Sequence, residues 1–241
     1  LTLKSLIDYS VLHFADCPSV SFVEGTPITY KQLGQKIEEV AALLSSFGLQ
    51  KGDKVALFSQ NMPNWVIAYF SVVSKGMIIV PVLPDFTRQK VENVLMHSEA
   101  KVLFVSERLQ SRVDGLELPD LIGKISVEEF NVLMGGDLSE SDVSKVDEIQ
   151  VEEDDTTAII YTSGTTGRSK GVVLSHKSIA FTAMQSYTFC AISHEDIFLS
   201  FLPLSHTYEN TIGMLYPIMY GASIYYLEKP PTASSLIPAL K

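Results

Sequence analysis

Three short apolar runs, Val55 to Ser59, Met77 to Pro81 and Lys101 to Val105, constrain the fold more than any other feature. They are nearly unbroken rather than alternating, which is how strands buried on both faces read. Helical stretches separate them. Pro63 to Val73 is the first, and Thr87 opens the second through about His97, with Val91, Val94 and Leu95 on one face. The order β-α-β-α-β calls for a parallel sheet with right-handed crossovers and helices on its faces. The expected fold class is therefore α/β, with parallel sheets flanked by helices.

The flanking segments extend this pattern. Leu1 to Phe14 has apolar residues at near-helical spacing, and Ser19 to Val23 alternates as a strand before the turn Gly25-Thr26-Pro27. Thr29 with Gln32 three residues on forms a capping box. Leu33, Ile37, Val40, Ala41, Leu44 and Phe47 follow as one helical stripe, closed by Gly48. Asn61 or Asn64 is expected to cap the helix at Pro63, and Gly76 to end it. Trp65 and Tyr69, four apart on that helix, read as core. A weak strand over 122–126 and a short helix over 127–133 are expected. Later elements are a helix over 177–190, strands over 197–202 and 222–227, a helix over 211–220, and a helix opening at Thr232.

Hydrophobic content of 46% suffices for a core. No run of about 18 apolar residues is present, as a membrane-crossing helix would need. There is no signal-peptide pattern, and the chain begins at Leu1 rather than Met. Cys17 and Cys190 are far apart, without disulfide or metal spacing, and read as buried small hydrophobes in a reduced, cytoplasmic protein. Of the net charge of −10, nine acids and one base fall between Asp137 and Asp155, which reads as a solvated connection. No basic stripe supports nucleic-acid binding.

The chemistry concentrates in a second kind of segment. Ala158 to Tyr161 is an apolar, β-prone run, and Val172-Val173-Leu174 is another. Between them lies Thr162-Ser163-Gly164-Thr165-Thr166-Gly167-Arg168-Ser169-Lys170-Gly171, which reads as a loop between two strands. Its glycines let the backbone approach a ligand closely. Successive free N–H groups in such loops make an anion-binding concavity. The hydroxyls add compact donors, and Lys170 a mobile point charge suited to phosphate. A plain Ser/Thr/Gly surface turn is the alternative. Neither the Walker pattern nor Gly-x-Gly-x-x-Gly fits.

Tyr161 to Gly171 resembles the phosphate-binding signature Y-T-S-G-T-T-G-x-P-K-G of the AMP-forming acyl-CoA synthetases, with Ser169 where the pattern has proline. The resemblance implies that Thr162, Ser163, Gly164, Thr165, Thr166, Gly167 and Lys170 hold the β- and γ-phosphates of ATP. It further implies that Lys170 stabilises departing pyrophosphate and that Thr166 reaches Mg²⁺.

A second cluster follows: Leu202-Pro203-Leu204-Ser205-His206-Thr207-Tyr208-Glu209. A strand ends, Pro203 fixes a turn, and ionisable groups crowd the loop, where ligands of open parallel sheets collect. The alternative is that His206 caps a helix and Glu209 is a solvated first-turn acid. L-P-L-x-H-x-Y-E is similar to a motif of the same synthetases, closest to their long-chain fatty-acid branch. That likeness places His206 where acyl carboxylate and nucleotide meet, as a group that donates to a developing acyl-phosphate oxygen or orients the carboxylate.

The family's implied reaction joins a carboxylic acid to CoA through an acyl-adenylate, with ATP, Mg²⁺ and CoA. The family architecture implies two sheet units here, 54–190 and 10–53 with 195–241. Its adenine, ribose and hinge motifs do not occur in these residues, so the chain is expected to be an N-terminal part, inactive by itself and prone to self-association through uncovered edges. A long-chain substrate is compatible with peripheral contact at the inner face of a membrane. Adenylation of an aryl, short-chain or amino acid, and a non-catalytic phosphate-binding or assembly module, remain as other readings.

Overall fold

A computed structural model describes residues 1–136, 149–162, 170–229 and 231–240. In chain order the first elements are α1 (Leu3–His13), β1 (Pro18–Phe22), β2 (Ile28–Thr29), α2 (Tyr30–Ser45), β3 (Lys54–Phe58), α3 (Pro63–Val73) and β4 (Ile78–Val82). Then come α4 (Arg88–Ser98), β5 (Val102–Val105), a 3-10 turn Glu107–Arg112, β6 (Gly123–Ser126), β7 (Val132–Met134), β8 (Thr156–Thr162) and β9 (Lys170–Ser175). The last are α5 (His176–Gln185), β10 (Ile197–Ser200), a π-helical segment Glu209–Leu215 running into α6 (Tyr216–Met219), β11 (Ser223–Tyr226) and α7 (Ala233–Ala239).

The strands form two sheets. The larger has the order β7-β6-β5-β3-β4-β8-β9, and the smaller β10-β11-β1-β2. Inside the larger sheet every pairing from β6 to β8 is parallel, while β7 and β9 pair antiparallel at its two edges. In the smaller sheet β10, β11 and β1 are parallel and β2 is antiparallel.

The unbroken apolar runs follow from covered faces on both sides. Along β3, Val55 and Leu57 pack into one core with α3, and Ala56 and Phe58 into another with Val91, Val94 and Leu95 of α4. Helix α3 is apolar all round because it is enclosed: it packs on α1, α2, β3 and β4, and on β1 of the smaller sheet. Trp65 and Tyr69 are fully buried in it, with rings stacked 5.4 Å apart. The box at Thr29 and Gln32 forms as the spacing demands, and Gly48 adopts φ 70° just past α2.

Four expectations need correction. Neither Asn61 nor Asn64 caps α3; the cap is Met62, without a side-chain bond, followed by Pro63. Proline has no N–H to satisfy there, which lessens the need for a polar cap. Asn64 instead donates to the carbonyls of Val127 and Glu128 at 2.9 and 2.7 Å. Residues 127–133 are no helix, since Phe130 sits at φ 54° in a turn that folds β7 back on β6. Cys190 is exposed rather than buried, because α5 ends at Gln185 and only a short 3-10 turn, Ser186–Thr188, continues toward it. The helix expected over 211–220 already begins at Thr207 and is π-wound over Glu209–Leu215.

The described part of the acidic connection is tethered: Asp155 pairs with Lys51 at 2.5 Å and Glu153 with Lys177 at 3.2 Å. Among the described residues no helix is long and apolar enough to cross a membrane.

Candidate functional site

The presumed phosphate segment sits on an antiparallel ladder at the edge of the larger sheet. Ile160 faces Val172, Tyr161 faces Gly171 and Thr162 faces Lys170. Thr162 and Lys170, the last pair, are both exposed. Of the residues assigned to phosphate, Ser163, Gly164, Thr165, Thr166 and Gly167 lie outside the described residues, as does the metal assignment of Thr166.

What the structure adds is how the ladder's end is held. Tyr161 points inward, and burial pushes its phenol up. Its hydroxyl and His97 Nδ1 of α4 are 2.7 Å apart, with the rings edge-on. Gly171 lies against Tyr161: a Cβ there would come within 2.9 Å of Ile159 and 3.3 Å of the phenol ring. This glycine therefore allows strand packing at the ladder. His97 was not singled out by the sequence, where it reads only as the last residue of an amphipathic helix.

The second cluster lies at the carboxyl end of β10. His206 is exposed; its Nδ1 accepts from the Tyr208 N–H at 3.4 Å, a long contact for a helix-opening cap. Tyr208 is also exposed. Glu209 is not a solvated acid: it is buried, and its Oε1 accepts from Ser200 Oγ at 2.7 Å. The nearby backbone of Phe201 and Leu202 and the Ser200 hydroxyl draw its pKa down, yet burial dominates and holds it above the usual carboxylate range. Gly213 makes room for it, since a Cβ there would lie 2.5 Å from Oε1.

Asn61 reaches this loop from the other sheet. Its Oδ1 accepts from the Leu204 N–H at 2.9 Å, and its Nδ2 donates to the Leu202 carbonyl at 2.6 Å and to Ser200 Oγ at 3.3 Å. The bonds cross more than a hundred residues of sequence, so no local signal pointed to them.

A cleft of about 480 Å³ opens beside these groups. Segments following β3, β4, β10 and β11 wall it, together with the turn at Arg108 and Arg112. Carboxyl ends of parallel strands from both sheets thus converge on one cavity, the usual place for ligands in open α/β folds. The Arg112 guanidinium is spent on the carbonyls of Pro84 and Phe86, at 2.6 and 2.9 Å. Among the described residues no group of His, Cys, Asp and Glu could hold a metal ion.

Comparison with known proteins agrees with this architecture. The family described as AMP-binding enzyme matches residues 8–241. Crotonobetaine/carnitine–CoA ligase of Escherichia fergusonii is 29% identical over 210 residues, covering 83% of this chain and 41% of that protein. The chain thus spans about two fifths of the length of the curated relatives it matches. A Mycobacterium tuberculosis fatty acyl CoA synthetase superposes with a TM-score of 0.85 at 20% identity, over 99% of this chain and 47% of that one. An anthranilate CoA ligase in complex with anthranoyl-AMP gives 0.87 at 20% identity, over 100% and 48%. These likenesses show the fold of the N-terminal domains of adenylate-forming enzymes. A strand-flanked Ser/Thr/Gly segment, a cleft at converging strand ends and a match over nearly the whole length lead to one statement: the chain belongs to the AMP-binding enzyme family.

Proposed function

We propose that this chain supplies the nucleotide-phosphate end of an acid–thiol ligase that activates a carboxylic acid, a long-chain fatty acid in the first instance, and passes it to CoA. The observation carrying this is the segment 162–170, hydroxyl- and glycine-rich, bracketed by the exposed pair Thr162 and Lys170 at the end of the β8–β9 ladder. In the reaction a carboxylate oxygen attacks the α-phosphorus of ATP, and the bond to the β-phosphate oxygen breaks with loss of pyrophosphate. The CoA thiolate then attacks the acyl carbon, and AMP departs. In this reading the hydroxyls of the segment and Lys170 offset charge developing on pyrophosphate. Mg²⁺ accompanies the triphosphate in this scheme, with Thr166 its candidate ligand. His206 stands at the acyl side, exposed at the carboxyl end of β10.

The long-chain preference rests on the wording of the 202–209 motif. A second reading, an aryl or small polar acid, is favoured by the anthranilate and crotonobetaine/carnitine ligases among the similar proteins. The deciding experiment measures CoA-dependent AMP release by the product of the complete reading frame across fatty, aryl and short-chain acids. The proposal expects the highest kcat/KM with long-chain acids; a maximum with an aryl or short-chain acid would replace that substrate class and keep the reaction.

A further inference from the structure

We infer that Asn61, on the turn after β3, is a positioning residue that holds the His206 loop in register across the two sheets, with Ser200 and Glu209 as its second anchor. The inference rests on the functional reading above, in which His206 meets the reacting carboxylate.

The geometry carries it. The segment from Phe201 to Leu204 has left β10 and has no ladder of its own, so its polar groups need other partners. Asn61 supplies three contacts, to Ser200 Oγ, the Leu202 carbonyl and the Leu204 N–H. Both ends of one amide are used, acceptor and donor, which fixes its orientation and demands asparagine rather than aspartate or leucine. On the other side Glu209 takes Ser200 Oγ at 2.7 Å. Asn210 Nδ2 reaches the Leu204 carbonyl at 3.3 Å, and the His206 N–H closes a turn onto the Pro203 carbonyl at 2.9 Å. The loop is therefore gripped from Ser200 to His206, while the His206 side chain stays exposed.

Asn61 itself follows β3, a central strand of the larger sheet, and precedes the enclosed helix α3. It is half-buried at the wall of the cleft; in the loop it holds, Ser200 and Leu204 are buried while Phe201, Leu202 and Pro203 are exposed. The side chain therefore ties the His206 loop to the buried centre of the larger sheet. Glu209 has no cation among its described partners, so its burial is offset by neutral donors alone. That arrangement is costly unless every donor stays in place.

The test has two arms on the product of the complete reading frame. Hydrogen–deuterium exchange of Asn61→Ala is expected to quicken at the amides of 202–206, with little change in β3 or α3. Acid-dependent pyrophosphate exchange is then compared in Asn61→Ala, His206→Ala and the double variant. Asn61 acting through His206 predicts a loss of tenfold or more in each single variant, and a double variant no slower than His206→Ala. Asn61→Asp keeps the acceptor for Leu204 but loses both donor bonds and is expected to fall between the parent and Asn61→Ala. Multiplicative losses in the double variant, or exchange that quickens uniformly over the whole chain, would overturn the assignment and leave the functional reading intact. A folded parent protein without pyrophosphate exchange would overturn that reading, and the positioning role with it.

Discussion

At His176, the first residue of α5, Nδ1 accepts the Leu3 N–H at 3.1 Å inside the core. The imidazole is fully buried, and burial lowers its pKa from 6.5 to about 4, against the opposing pull of Asp155; Lys51 adds to the depression. A proton on Nδ1 would remove the acceptor for Leu3. In the unfolded chain the ring binds its proton near 6.5, so between 6.5 and about 4 the unfolded state carries more protons. Stability from this site is full above that window, falls as pH drops through it, and is gone below it. The span amounts to at most about 3 kcal/mol. Urea unfolding of the parent and of His176→Gln is expected to show a steeper fall over this range in the parent; parallel curves would contradict the assignment. Lys170 makes the opposite kind of prediction. It is exposed at a strand end, and in the proposed function it acts on ligand rather than fold. Lys170→Ala is expected to slow adenylation about 10²-fold, the scale for one lost charge-stabilising donor, with an unchanged melting temperature. Unchanged adenylation kinetics would contradict its role. Lys170 and His206 drew attention in the sequence because each stands in a specific local motif. His97 and Asn61 were not, because their partners, Tyr161 and Leu204, are brought close only by the tertiary fold.

The π-helical segment Glu209–Leu215 illustrates what an element can hide. Residues 211–220 read as an ordinary helix. In the structure Gly213 is buried, and the missing Cβ leaves space for the Glu209 carboxylate. A Cβ would approach Oε1 to 2.5 Å and the carboxyl carbon to 2.6 Å. Gly213→Ala raises helix propensity, yet it must displace a buried acid from Ser200. The clash prevails, since overpacking costs typically 1–3 kcal/mol against about 1 kcal/mol of propensity. Chemical denaturation is expected to show Gly213→Ala less stable by about 1–2 kcal/mol; a more stable variant would contradict the account. The strand–helix alternation from β3 to β5 was readable because burial on both faces leaves an unbroken apolar signature. The 127–133 hairpin was not, because a single left-handed residue, Phe130, decides it and phenylalanine gives no sign of that conformation.

On the scale of the whole molecule, α3 is the element that packs against both sheets. It is apolar all round because two sheets need it, and its enclosure lets a turn of the larger sheet reach a loop of the smaller one. The α/β class followed from strand order. The pairing of β1 with β11, more than two hundred residues apart in sequence, did not, because parallel register carries no local signal. The central claim is that the protein carrying this chain activates a carboxylic acid on ATP. The most direct test is acid-dependent exchange of labelled pyrophosphate into ATP by the product of the complete reading frame. The account predicts exchange that requires both the acid and ATP and is strongest with long-chain fatty acids. A folded protein that shows none with fatty, aryl or amino acids would contradict it and leave a non-catalytic phosphate-binding module.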